Sequence, residues 1–199
     1  KGISLCGIQR DQTTADFSHK NLKPPDAILL ASDLSQTVVT GGLTSLDLSS
    51  NQLCGSVYGT YTAEGITVVA DALRVNGELT ALNLSFNYLK DEGINAVCEA
   101  IQSNKETKLA LLNFEYNGIG PGGANAVAAM VAVTDGLTAL DLSSNDLKDE
   151  GVRAVCKAIQ SNKETKLASL NFKNNGIGPG GANAVATMVA VTGALMTIE

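Results

Sequence analysis

The chain has 199 residues, with 14 basic and 20 acidic side chains and a net charge of −6. That balance repels a phosphate backbone and argues against nucleic-acid binding, and no run of about 18 apolar residues offers a membrane span. Hydrophobic residues make up 44% of the chain, enough for a sizeable core, but Trp is absent and aromatics are only 4%, so aliphatic side chains must build it.

The first eleven residues, Lys1–Asp11, hold no apolar stretch of the kind a secretory signal carries, and the opening residue is Lys rather than Met. A processed chain or a piece of a longer one is expected to begin this way. From Gln12 the chain repeats. A weak first copy of 31 residues is recognisable from Asp16-Phe17-Ser18 and Leu22. The first strong copy, Leu43-Thr-Ser-Leu46-Asp-Leu48-Ser-Ser-Asn51-Gln-Leu53, opens a 36-residue unit that carries an insertion holding Tyr58 and Tyr61. Further copies of L-x-x-L-x-L-x-x-N-x-L start at Leu79, Leu109, Leu137 and Leu167, with Phe114 or Phe172 and Ile119 or Ile177 at apolar positions, and a partial copy starts at Leu195.

Apolar alternation within each copy predicts a strand, and the stretch after it predicts a helix. One helix type, such as Asp91–Ile101, has acidic residues in its first turn; the other starts at Pro121 or Pro179, where a missing N–H costs nothing. Helices need about 10 Å of lateral spacing and strands about 4.8 Å, so this strand–helix series predicts a curved α/β solenoid. Residues 1–42 read as an N-terminal cap with a degenerate first repeat, in which Lys20 replaces the turn Asn, and 43–199 as the repeats, all in one domain.

These motifs resemble the leucine-rich-repeat family, specifically its ribonuclease-inhibitor-like subclass, over roughly residues 12–199. The resemblance implies a horseshoe with parallel strands on the concave face and helices on the convex face. It also implies protein–protein recognition, as in ribonuclease inhibitors, NOD-like receptors and Ran GTPase-activating proteins. The turn asparagines Asn51, Asn87, Asn117, Asn145 and Asn175 are by this resemblance a structural ladder that satisfies backbone groups between turns.

Other chemistry finds little footing. Gly118-Ile-Gly120-Pro-Gly-Gly123 and its copy at 176–181 match a dinucleotide-binding string, but Pro121 and Pro179 remove N–H groups from the cradle and the expected distal acid is missing. Asn145–Gly151 lacks the alternating ligands of a calcium loop, and capping of their own helices is the expected role of Asp91 and Asp149. Asn83-Leu-Ser85 is a formal glycosylation sequon placed in a strand. Cys6, Cys54, Cys98 and Cys156 form no disulfide or zinc spacing, and Cys98 and Cys156, equivalent positions two repeats apart, read as buried thiols of a reducing, cytoplasm-like compartment. His19 has no recognisable Cys or Ser partner. The expectation is a protein without enzymatic activity, cofactor or metal.

The repeats also indicate where a partner would bind. Leu79–Gly136 and Leu137–Ala194 align without gaps and share 46 of 58 residues. Of ten positions per unit that point at the concave face or its rim, six differ: Asn83/Asp141, Phe86/Ser144, Tyr88/Asp146, Leu111/Ser169, Glu115/Lys173 and Tyr116/Asn174. Only six of the other 48 differ, although the surface-type segment Gln102–Lys108 is copied unchanged at Gln160–Lys166. All four tyrosines, Tyr58, Tyr61, Tyr88 and Tyr116, fall on one rim, with Phe86 beside them, and Tyr is enriched at binding hot spots. The column Asp16, Asp47, Asn83, Asn113, Asp141 and Asn171 adds an acidic, hydrogen-bonding stripe. The expected function is a recognition scaffold that binds a protein partner through Tyr58, Tyr61, Asn83, Phe86, Tyr88, Glu115, Tyr116, Asp141 and Lys173, without nucleic acid or membrane insertion. The alternatives are a subunit docked through its open C-terminal edge and a small-GTPase regulator.

Overall fold

Six three-residue strands repeat one pattern: β1 (Thr14–Asp16), β2 (Ser45–Asp47), β3 (Ala81–Asn83), β4 (Leu111–Asn113), β5 (Ala139–Asp141) and β6 (Ser169–Asn171), followed by the two-residue β7 (Thr197–Ile198). The computed structural model describes residues 4–36, 40–55, 59–192 and 197–198. Tyr58 and Leu195 lie outside the described residues. In each three-residue strand the middle side chain is buried and its two neighbours are not, so one face of the sheet meets the core and the other is bare. The strands form one parallel sheet in sequence order, with Ala15, Leu46, Leu82, Leu112, Leu140, Leu170 and Ile198 in register.

Each of β1 to β6 is followed by a turn and a helix: α1 (Pro24–Leu34), α2 (Glu64–Leu73), α3 (Lys90–Ser103), α4 (Pro121–Val131), α5 (Lys148–Ser161) and α6 (Pro179–Val189). All six stack side by side on the core face of the sheet. The core between the layers is the second and third leucines of the motif, with Phe114 and Phe172 in two copies, against the inner residues of the helices, such as Val97, Val127 and Val155. Close stacking needs small residues at the contacts. A Cβ on Gly151 of α5 would come within 2.7 Å of the Ala124 methyl of α4, so only glycine lets these helices approach. Strands at about 4.8 Å and helices at about 10 Å curve the stack toward the strands. The bare strand face lines a trough of about 500 Å³ that spans β2 to β7. This is the expected α/β solenoid, and it presents its strand face as one continuous surface.

At the N-terminal end, Asp33 of α1 is fully buried. Its carboxylate accepts hydrogen bonds from Ser4 Oγ (2.8 Å), the Leu5 N–H (2.9 Å) and the Cys6 N–H (2.8 Å). Those three donors tie the leading segment across the outer side of α1, where Ile8 is also buried. At the other end, no equivalent cover lies over α6 among the described residues. Ala182, Ala186 and Val189 are exposed there, while their counterparts in α4, Ala124, Ala128 and Val131, are buried.

Candidate functional site

Four of the turn asparagines, Asn51, Asn87, Asn117 and Asn175, are buried, and Asn145 is partly so. Asn117 donates through Nδ2 to the carbonyls of Leu84 (3.0 Å), Phe114 (3.1 Å) and Glu115 (3.2 Å). Its Oδ1 accepts the N–H groups of Asn87 and Leu89 from the preceding turn. Asn51, Asn145 and Asn175 make the same kind of bonds to the turn before them. Asn87 is the partial exception. It donates to Leu48, Leu84 and Ser85, but its buried Oδ1 has no partner among the described residues, next to the insertion that lengthens the preceding unit. A second ladder, absent from the sequence reading, ties the helix ends. Asn76 donates to the Leu34 carbonyl, Asn104 to those of Leu73 and Asn76, and Asn162 to those of Val131 and Thr134. Asn104 and Asn162 belong to the unchanged Gln102–Lys108 and Gln160–Lys166 segments, so part of that identity has a structural cause.

The glycine-rich loops do cradle an anion, and it is the protein's own. Asp149 Oδ1 accepts the Gly178 N–H at 2.6 Å and Oδ2 accepts the Gly180 N–H at 3.1 Å; Asp91 Oδ1 accepts the Gly120 N–H at 2.7 Å. A Cβ on Gly123 would sit 2.8 Å from Asp91 Oδ1, which accounts for the glycine there. The expectation that Asp91 and Asp149 cap their own helices is corrected. The residues before α3 and α5 are Leu89 and Leu147, with no side-chain cap, and the carboxylates instead cap the first turn of the next helix. The Gly178 N–H above all, then those of Gly181 and Gly180 and the Arg153 charge, hold the Asp149 carboxyl below its ordinary range. With the helix N-terminus already filled by a carboxylate, the loop offers no free place for a phosphate.

The aromatic residues gather into two pairs. Phe86 and Tyr116 stack with ring centroids 4.9 Å apart and planes inclined by 19°. Tyr61 and Tyr88 meet edge to face at 6.4 Å. The Lys90 ammonium lies 4.5 Å from the Tyr61 ring centre and 4.7 Å from that of Tyr88, and Tyr61 Oη donates to the Leu89 carbonyl at 2.7 Å. Lys90 was not among the sequence candidates, and its equivalent Lys148 instead pairs with Asp146 at 3.2 Å. Phe86, Tyr88 and Tyr116 all adopt left-handed backbone conformations, with φ of 56°, 58° and 51°. Phe86 and Tyr116 remain 42% and 60% exposed, as does half of Leu111 at the start of β4. A bulky residue at positive φ costs about 1–2 kcal/mol, comparable with the roughly 0.5–1.5 kcal/mol an aromatic pair returns. Folding therefore gains little from these aromatics.

The Asx column is half structural. Asp16, Asp47, Asn83, Asn113, Asp141 and Asn171 each accept, through one side-chain oxygen, the N–H two residues on. Asn83 also donates to Asp47 (3.0 Å) and Asn171 to Asp141 (3.2 Å). Ser18 donates to Asp16 and holds its carboxyl below the usual range. Glu115 is a diagonal neighbour of Asp141 across β4–β5, and partial burial, then the Asp141 charge, raise its carboxyl above the usual range. No ion pair among the described residues uses Glu115, Asp141 or the exposed Lys173, which stands two strands from Glu115.

Cys54, Cys98 and Cys156 are buried free thiols and Cys6 is half-buried. Burial pushes the Cys54 and Cys156 thiols up to about 12, raises that of Cys98 as well, and with Asp33 takes Cys6 to about 11. Among the described residues no three His, Cys, Asp or Glu side chains converge as metal ligands, and no helix is long and apolar enough to cross a membrane.

A family described as Leucine Rich repeat matches residues 78–98, 137–156 and 163–186, and a second, Leucine Rich Repeat, matches 42–60. The chain is 36% identical over 95 residues to human NACHT, LRR and PYD domains-containing protein 13, spanning 48% of this chain and 9% of that protein. It is 28% identical over 138 residues to mouse ribonuclease inhibitor, 69% of this chain and 30% of that one. It is 31% identical over 147 residues to RAN GTPase-activating protein 2 of Arabidopsis thaliana, 74% of this chain and 25% of that one. The chain thus spans less than a third of the length of each of these relatives. The solved structure of Leiomodin-1 Actin-Binding Site 2 shares the fold, with a TM-score of 0.52, 21% identity and coverage of 70% of this chain and 79% of that one. The chain is a leucine-rich-repeat protein of the ribonuclease-inhibitor-like type.

Proposed function

We propose that the chain is a non-catalytic recognition scaffold that holds a protein partner on its bare strand face and aromatic rim. The supporting observation is the position of Phe86 and Tyr116. They are exposed, stacked and held at an unfavourable φ, at two of the six face positions where the duplicated units diverge. Strain kept at a site that contributes little to folding supports a role in binding. Tyr61, Tyr88, Asn83, Glu115, Asp141 and Lys173 complete the proposed surface, with Tyr58 a candidate on sequence grounds alone. Residues 1–42 are read as its N-terminal cap, supported by the buried Asp33 tie. Free thiols and a net charge of −6 support a reducing compartment and a protein rather than a nucleic-acid partner.

The test is a quantitative pull-down from source-cell lysate with wild type and a Phe86→Ser/Tyr116→Asn variant. These substitutions install the residues that stand at φ of 56° and 57° in the second unit, Ser144 and Asn174, so the fold should be kept, as thermal unfolding will verify. Proteins held by wild type and lost by the variant support the reading. Equal retention by both moves the partner off the rim. Similarity to RAN GTPase-activating protein 2 favours regulation of a small GTPase as a second reading, and unchanged GTP hydrolysis by candidate GTPases would remove it.

A further inference from the structure

The strand face is divided. Over β3 and β4 it carries Phe86, Tyr116 and Leu111, three large apolar side chains between 42% and 60% exposed. Over β5 and β6 the same positions hold Ser144, Asn174 and Ser169. The two units are otherwise nearly identical, so the apolar half is not a by-product of the repeat.

At the seam between the halves stand two carboxylates, Glu115 and Asp141. Partial burial and the neighbouring Asp141 charge disfavour the charged form of Glu115, and neither acid is paired with a cation among the described residues. Among the described residues the face and its rim carry Asp16, Asp47, Glu115, Asp141 and Asp146 against Lys173, with Lys90 held over the Tyr61 and Tyr88 rings and Lys148 paired with Asp146. Asp47 and Asp141 each already receive an amide from a neighbouring Asn, which leaves Glu115 as the acid whose carboxylate has no protein donor among the described residues. Leu111 opens β4 and Tyr116 stands in the turn that follows it, with Glu115 beside Tyr116.

From this arrangement we infer that the occupant of the face is a polypeptide segment that places an Arg or Lys side chain between Glu115 and Asp141 and an adjacent large apolar side chain on the Phe86–Tyr116 pair. The inference rests on the recognition reading above and adds the chemistry of the partner. A cation there relieves the repulsion of two acids at once. Its apolar neighbour covers rings that the fold leaves in water. An acidic segment would meet four carboxylates, and a segment without a large apolar side chain would leave the stacked pair uncovered.

The test is selection from a random 12-residue peptide library on the immobilised full chain, followed by fluorescence anisotropy with the selected peptide. Three forms are compared: wild type, Glu115→Gln/Asp141→Asn and Phe86→Ser/Tyr116→Asn. Asn occupies the Asp141 position in three other repeats, at Asn83, Asn113 and Asn171, so the turn hydrogen bond is kept. Circular dichroism and thermal unfolding confirm each fold. The expected result is enrichment of peptides with Arg or Lys next to Leu, Ile, Phe, Tyr or Trp. Affinity should fall about tenfold or more in either variant, and raising salt from 50 to 500 mM should weaken wild type far more than the carboxylate variant. Enriched peptides that lack a cation, or equal affinity for wild type and Glu115→Gln/Asp141→Asn, overturn the inference. If such peptides are still lost with Phe86→Ser/Tyr116→Asn, the recognition surface stands and only the partner chemistry falls. Cationic peptides that bind all three forms alike overturn both. No enrichment over blank support overturns the inference, and the pull-down then decides the broader reading.

Discussion

Asn117 satisfies five backbone groups with one side chain, and it does so at zero exposure. Replacing it by Ala strands the N–H groups of Asn87 and Leu89 in the interior and leaves three carbonyls with one donor fewer. An unsatisfied buried group costs about 1–3 kcal/mol, so Asn117→Ala is expected to cost about 3–5 kcal/mol. At roughly 2–4 °C per kcal/mol for a chain of this size, the midpoint of thermal unfolding should fall by about 10 °C. Asn87→Ala should cost clearly less, because its Oδ1 serves no N–H in the described structure. Equal losses, measured by thermal unfolding of both variants, would show that the ladder is not read correctly from these bonds. Phe86 and Tyr116 stand at the opposite extreme. They are exposed and strained, and a swap to Ser or Asn should leave the unfolding midpoint nearly unchanged.

Between one repeat and the next, the Asp149 clasp is the element-scale device. Its carboxyl is held below the ordinary value of 3.8 in the folded chain, so the carboxylate adds stability above that pH and loses it as pH falls through the lower folded value. Asp149→Asn should therefore unfold at a lower temperature than wild type at about pH 7, and the two curves should converge as pH falls through the lowered folded value. A gap that persists at low pH would assign the loss to packing instead of charge. This clasp was not legible in the sequence. A carboxylate and a row of backbone N–H groups 29 residues away share no complementary residue type, since every residue but proline offers an N–H. Proximity in the chain points each aspartate to its own helix, and only the fold brings it to the first turn of the next one. The strands, their register and the turn ladder were legible, because each follows from a local spacing that recurs five times. The second ladder escaped because Asn76, Asn104 and Asn162 recur at unequal intervals, with Thr134 in between. Comparing the two units did find the aromatic positions. It could not show that Phe86 stacks on Tyr116 while Tyr61 and Tyr88 share Lys90, since pairing across turns depends on side-chain directions that sequence does not carry.

A solenoid has nearest-neighbour stability, so the same helix sequence should be worth different amounts at different places in the stack. This chain contains the experiment ready-made. Helices α4 and α6 read PGGANAVAAMV and PGGANAVATMV, differing at one residue, Ala129 against Thr187. In α4, flanked on both sides, Ala124, Val127, Ala128 and Val131 are buried; in α6 only Gly181 and Met188 are, and Val189 is 46% exposed. Burying one Val side chain is worth about 1.5–3 kcal/mol, so the missing neighbour should lower the opening free energy of α6 relative to α4 by about 2–4 kcal/mol. Native-state hydrogen exchange on this chain should then show α6 amides exchanging roughly a hundredfold faster than the equivalent amides of α4. Intrinsic propensity cannot produce such a gap, because the two sequences are almost the same. Equal protection of α4 and α6 would mean that stability is set within each repeat and not by its neighbours, and the one-dimensional account of this molecule would fail.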